Sequence, residues 1–115
     1  SYSPYILRRL QTCSACVCYN DEIAHLVTEQ CLQAGIRIPD ELSLISVDNS
    51  ELAKLNAVPL TSVIHPLEAL GEKVAENLLQ LIADREYDAT FEFAPQIEER
   101  ASVSPTVSAA QSNNQ

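Results

Sequence analysis

In this 115-residue sequence, two apolar runs each end in residues that can hold a ligand. Tyr19, Asn20 and Asp21 follow Ser14-Ala15-Cys16-Val17-Cys18. Asp48, Asn49 and Ser50 follow Leu42-Ser43-Leu44-Ile45-Ser46-Val47. Amides and carboxylates supply hydrogen-bond donors and acceptors at neutral pH. Open α/β folds bind ligands just beyond the carboxyl ends of their strands. The expected chemistry is therefore recognition rather than bond making. Each residue also has a structural use. Asn20 can cap a helix, Asp48 can serve a plain turn, and Tyr19 can lean on a ligand or simply pack. Asp21 reads as a helix cap ahead of a ligand group.

The other reactive side chains point to less. Cys13-x-x-Cys16 has a metal or redox spacing, but no second pair of ligands accompanies it. Cys16 and Cys18 lie two apart, so on a strand they share a face. The four cysteines, Cys31 included, read as buried structural thiols, which favours a reducing, cytoplasmic setting. His25 and His65 are the only histidines. Neither has a neighbouring acid or thiol pattern that suggests a metal site. No nucleophile–base pair and no Gly-rich phosphate loop occurs, so neither an enzyme nor a cofactor is expected.

Elements must place the two polar runs side by side. Residues 14–18 read as a strand covered on both faces. Residues 21–34 read as a helix with Ile23, Val27, Cys31 and Ala34 on its apolar face. Gly35 supplies its left-handed end and Ile36 the hydrophobic contact behind it. Residues 42–47 form the next strand, and Ser50 is expected to cap a short helix over 51–56. Strand, helix and strand in this order imply parallel, right-handed crossovers, which bring both polar runs to one sheet edge. Residues 60–64 are a third extended run. A long helix follows, with Pro66 at its first position and a stripe of Leu67, Leu70, Val74, Leu78 and Leu81. Residues 91–98 read as an edge strand broken by Pro95. Residues 5–11 look like the tail of a helix. Residues 102–115, rich in Ser, Ala, Asn and Gln, read as a disordered tail.

Composition narrows the class. The net charge is −9, from 16 acidic and 7 basic residues. That sign argues against a phosphate-backbone grip by this segment. With no Trp, no Met and two Gly, the core must come from Leu, Ile, Val and Ala. No apolar run is long enough to span a membrane.

Several motifs, in order, resemble one family. They are Cys18-Tyr19-Asn20-Asp21-Glu22-Ile23-Ala24, then Ala34-Gly35-Ile36-Arg37-Ile38-Pro39-Asp40-Glu41-Leu42 running on to Val47-Asp48-Asn49-Ser50, and Pro59-Leu60-Thr61-Ser62-Val63 with Leu70-Gly71. This wording is similar to the effector-binding core of the lactose/galactose repressor family. It leans toward the arabinose-repressor subgroup, whose DNA-binding head is of the gluconate-repressor type. The resemblance runs from about Thr12 to Ser102. It implies a parallel-sheet, three-layer α/β sandwich lobe of the periplasmic-binding-protein-like type I fold, incomplete in this chain. On this view residues 12–57 belong to the C-terminal lobe. Residues 58–101 supply the crossings between lobes and a helix of the other lobe. The DNA-binding head and the first lobe's sheet would lie outside the chain.

The resemblance also implies roles. Asn20 and Asp48 would hydrogen-bond a sugar effector, and an ionised carboxylate suits a vicinal diol because it accepts two hydroxyl protons. Tyr19 would stand beside them. Val47 replaces a frequent aromatic of the family, and Asn49 and Ser50 depart slightly from its usual pattern. Arg100 matches a family arginine, with a surface ion pair to Glu98 or Glu99 as its other reading. His25, Leu26, Glu29, Leu32, Leu52 and Leu55 match a dimer surface. The implied function is the sensing domain of a cytoplasmic, sugar-responsive repressor, with L-arabinose the expected pentose. It would act as a homodimer and touch operator DNA only through a separate head. The rival on the same fold is a periplasmic sugar-binding protein of a transport system. A hydrolase or phosphatase using Asp21 or Asp48 would need an Asp-x-Asp or metal cluster that the sequence does not contain.

Overall fold

A computed structural model of the chain describes residues 4–105. Its elements, in order, are α1 (Pro4–Gln11), β1 (Ala15–Val17), α2 (Asp21–Ala34), β2 (Ser43–Val47), α3 (Glu51–Leu55), β3 (Thr61–Ile64), α4 (Leu67–Ala83) and β4 (Gln96–Glu98). The strands form one sheet in the order β1-β2-β3-β4. β1 and β2 run parallel, as do β2 and β3. The chain divides into two compact units, 1–64 with 97–115, and 65–96.

In the first unit the core is small and aliphatic. Ala24, Val27 and Cys31 of α2 pack with Cys18, Ile36, Leu42, Leu44, Ala53 and Leu60, and Leu10 of α1 joins them. Alternation along a strand puts Leu44 and Ser46 on one face and Ile45 and Val47 on the other. The first face is buried; the second is half exposed. β1 departs most from expectation. It is shorter than residues 14–18, and Val17 is 75% exposed. Within the described residues β1 pairs only with β2, so it is an edge strand, and with Ala15 and Val17 exposed it is not covered on both faces.

Local sequence explains α2. Asn20 Oδ1 accepts from the backbone N–H of Ile23 at 2.9 Å, closing the N-terminus. At the other end Gly35 sits at φ 75°, where only glycine avoids a steric cost. Ile36 is buried and its N–H donates to Cys31 O at 2.9 Å, the pairing expected behind a left-handed cap. Ser50 does not cap α3 with its side chain. Its hydroxyl is used elsewhere, as described below. Pro66 stands one position before α4 rather than inside it.

The chain beyond β4 is more ordered than its composition suggests. Ser102 is fully buried: its hydroxyl donates to Leu44 O and accepts from Thr61 N–H. Ser104 Oγ donates to Pro39 O at 2.9 Å. Residues 102–105 therefore do not belong to the tail predicted from residue 102. Residues 106–115 lie outside the described residues.

The second unit is built on α4. Asn77, its one buried residue among those described, donates to Ala89 O at 2.9 Å. Phe91 and Phe93 meet edge to face, 5.6 Å between ring centres. The extended run shrinks from residues 91–98 to Gln96–Glu98, since Pro95 cannot donate to a ladder. Of the predicted apolar stripe of α4, Leu67, Val74 and Leu78 are exposed and Leu70 and Leu81 half-buried, and Leu79 and Ile82 beside it are exposed. Large apolar patches drive association. The isolated 115-residue chain is expected to self-associate through this stripe in size-exclusion chromatography, and Leu78→Lys with Ile82→Lys to return it to monomer. A compact wild-type monomer would contradict this.

Candidate functional site

The polar ends of β1 and β2 meet around a carboxylate. Asp21, at the first turn of α2, is 2% exposed. Its Oδ1 accepts from Ser46 Oγ at 2.5 Å and Ser62 Oγ at 3.2 Å. Its Oδ2 accepts from the backbone N–H and the hydroxyl of Ser50, both at 2.6 Å. Register makes this possible: Ser46 of β2 lies opposite Ser62 of β3, so both hydroxyls face α2 side by side, 3.2 Å apart. Burial alone would raise the carboxyl's pKa, but the Ser46, Ser50 and Ser62 donors outweigh it and hold Asp21 below the usual carboxylate value. A buried charge is tolerated when it is so fully bonded.

Above this hub runs the turn Asp48-Asn49. Asp48 lies at φ 111° and Asn49 at φ 58°. The second suits Asn; the first is a conformation that residues with a side chain rarely adopt. The turn is held from several sides. Asp48 N–H donates to Val63 O at 2.9 Å and Asn49 N–H to Ser62 Oγ at 2.9 Å. Arg100 bridges from the far end of the chain, with Nη2 donating to Asn49 Oδ1 at 2.5 Å and Nη1 to Leu60 O at 2.7 Å. Arg100 thus braces the turn, in place of the surface ion pair with Glu98 or Glu99.

The predicted residues fall as follows. Asn20 and Asp48 flank the hub, one residue before Asp21 and two before Ser50, so two strand ends deliver them to the same edge. Asn20 spends its Oδ1 on the α2 cap. Its amide nitrogen is the group that a ligand would use. Tyr19 is 87% exposed and packs on nothing in the core. A cleft of about 580 Å³ opens on the other face of the sheet, between Ile45, Thr61, Ile97, Arg100 and Val103. None of Tyr19, Asn20 and Asp48 lines it, so the candidate site is an open edge rather than this cleft.

The residues matched to a dimer surface divide. Leu26, Leu32 and Leu55 are exposed, Leu52 is half-buried and Glu29 is exposed. His25 is tied inward. Asn56 gives its amide protons to Thr28 Oγ1 (3.0 Å) and Val58 O (2.8 Å), so its Oδ1 accepts from His25 Nδ1 at 2.9 Å. The other ring nitrogen lies 3.4 Å from Glu29. His25 therefore locks α2 to α3. Of the thiols, Cys18 and Cys31 are buried, Cys16 is half-buried and Cys13 is exposed, against the expectation for all four. Burial first, then the neighbouring Cys16, pushes Cys18 up to about 12. Cys31 is raised by the same causes. Such thiols are poor nucleophiles and poor metal ligands. No cluster of three or more His, Cys, Asp or Glu able to hold a metal occurs among the described residues, nor is any described helix long and apolar enough to cross a membrane.

The model of the periplasmic binding protein-like domain matches residues 3–103. The chain belongs to this family. Within the periplasmic-binding-protein-like domain family several of its relatives are transcriptional repressors. It is 41% identical over 91 residues to the HTH-type transcriptional repressor PurR of Vibrio cholerae, covering 78% of this chain and 27% of that protein. It is 40% identical over 75 residues to the arabinose metabolism transcriptional repressor of Geobacillus stearothermophilus, covering 65% and 21%. A LacI-family transcriptional regulator from Enterococcus faecium with bound ribose superposes with a TM-score of 0.70 at 27% identity, over 88% of this chain and 39% of that one. The transcriptional regulator CelR in its cellobiose complex shares the fold, with a TM-score of 0.76 at 22% identity over 84% and 30%. The chain spans about a quarter of the length of the curated relatives it matches. It is similar to a segment of these transcriptional regulators. The PurR and arabinose-repressor matches are nearly equal in identity, so the similarity reaches the repressor family without singling out the arabinose subgroup.

Sequence reading missed Ser46, Ser62 and the reach of Asp21. A signal was there. Two serines inside otherwise apolar parallel strands need partners once buried, and Asp21 is the acid placed to provide one.

Proposed function

We propose that this chain is part of the sensing domain of a bacterial, sugar-responsive transcriptional repressor, and that its effector is a pentose, with L-arabinose first among them. The observation that carries this is the delivery of Asn20 and Asp48 by two parallel strand ends to one edge, across the Asp21 hub. An amide donor and an exposed carboxylate on that edge match the hydrogen-bonding of a polyol, and Tyr19 offers an aromatic face beside them. The arabinose-repressor relative and the ribose-bound neighbour favour a pentose. That the relatives are repressors favours regulation over transport.

On this reading the protein is cytoplasmic, needs no cofactor and catalyses no reaction. It dimerises through Leu26, Leu32, Leu52 and Leu55, on the face where His25 and Glu29 join α2 to α3. Operator DNA is bound by a head outside this chain. Sugar favours one closure state, and that state weakens the operator-binding arrangement by an allosteric coupling of about 1–3 kcal/mol. Titration calorimetry of the full-length protein with L-arabinose tests this. Binding is expected. Asn20→Ala should weaken it about tenfold, as loss of one hydrogen bond does, and Asp48→Ala about a hundredfold or more, as loss of a charged group accepting two hydroxyls does. Binding that survives both substitutions would remove the site.

A further inference from the structure

The turn that presents Asp48 is not a stable local structure. Asp48 at φ 111° lies outside the ordinary regions, directly before Asn49 in the left-handed region at φ 58°. Strain of this kind persists only when the surroundings over-determine it. Beside the Asp48 N–H bond to Val63 O and the Arg100 bond to Asn49, what over-determines it here is a buried carboxylate from a different element. Asp21 Oδ2 takes both the N–H and the hydroxyl of Ser50, immediately after the turn. Asp21 Oδ1 takes the hydroxyl of Ser62, and Ser62 Oγ in turn accepts the N–H of Asn49. One side chain thus holds the turn directly at residue 50 and indirectly at residue 49. It also sits at the start of α2, directly after Asn20.

We infer that Asp21 is a positioning residue of the effector site: it clamps the Asp48-Asn49 turn through Ser50 and Ser62 and fixes it relative to Asn20 without touching the ligand. This rests on the proposal that Asp48 and Asn20 face the effector. A residue acting only on overall stability would loosen every element alike. A clamp loosens the turn first.

Amide hydrogen exchange on the full-length protein, read by NMR, separates the two. In Asp21→Ala the Ser50 amide should exchange at least about tenfold faster relative to those of Leu44 and Leu60, the loss expected when a bond to a charged group goes, and the Asn49 amide, held through Ser62, should exchange faster to a smaller degree. Asp21→Asn keeps the shape and one acceptor oxygen. Its effect on the same ratio should fall between wild type and Asp21→Ala, and it serves if the alanine variant does not fold. An unchanged ratio in the folded variants overturns the inference. Calorimetry with L-arabinose on the same proteins then tests the link to the site. Affinity should fall about tenfold in Asp21→Asn, and a loosened turn with unchanged affinity would also overturn the inference. If wild type takes up no L-arabinose, the sugar assignment fails by itself, and the exchange ratios still decide whether Asp21 clamps the turn.

Discussion

Asp21→Ala is expected to lower the unfolding free energy by about 3 kcal/mol in urea denaturation, a large share of the roughly 5–15 kcal/mol typical of a domain. Four donors converge on this one side chain, and hydrogen bonds to a charged group contribute about 1.5–3 kcal/mol each. The sum overstates the loss. Ser46 and Ser62 can turn to one another across 3.2 Å, and Ser50 is exposed enough to find water. The acid response follows from the same contacts. The folded carboxyl titrates below its unfolded value, so its contribution is complete above pH about 4 and is lost as the pH falls through the folded value. Wild type should therefore lose stability faster than Asp21→Asn below pH about 4. A loss under about 1 kcal/mol in Asp21→Ala would mean that water already shares the site.

The second large effect has two signs. Asp48→Gly should be more stable than Asp48→Ala, and both should destroy the proposed binding. An L-residue at φ 111° costs about 1–3 kcal/mol, which glycine does not incur. Glycine's greater freedom in the unfolded chain offsets about 0.5–1 kcal/mol of this, leaving a difference of about 1 kcal/mol between the two variants. Effector affinity should fall about a hundredfold or more in each, because a carboxylate accepting two hydroxyls contributes about 3 kcal/mol. Urea midpoints and calorimetry with L-arabinose read both. An Asp48→Gly no more stable than Asp48→Ala would show that the turn carries no strain at this residue.

Some of this was legible beforehand. The bounds of α2 could be read because Asn20 and Gly35 are local signals: each acts within one helical turn. The parallel order of β1, β2 and β3 could be read because helical and extended periodicities alternate. What could not be read depends on register. Nothing within a few residues of Ser62 marks it as the partner of Ser46 or of Asp21, since those contacts span 16 and 41 positions. Ser102 was lost to averaging. Its neighbours have the composition of a tail, yet one hydroxyl that both donates and accepts fixes it between β2 and β3. The α4 stripe was legible as a pattern, while the surface it is shaped to meet does not occur among the described residues of its own unit.

The burial of the cysteines has a practical side. Cys18 and Cys31 are held protonated inside the core, while Cys13 lies on the surface at the approach to β1. That makes Cys13 an addressable handle. A maleimide fluorophore attached there would sit two residues before β1, at the end of that strand opposite Asn20. It would report on movements of that approach with the native sequence otherwise unaltered.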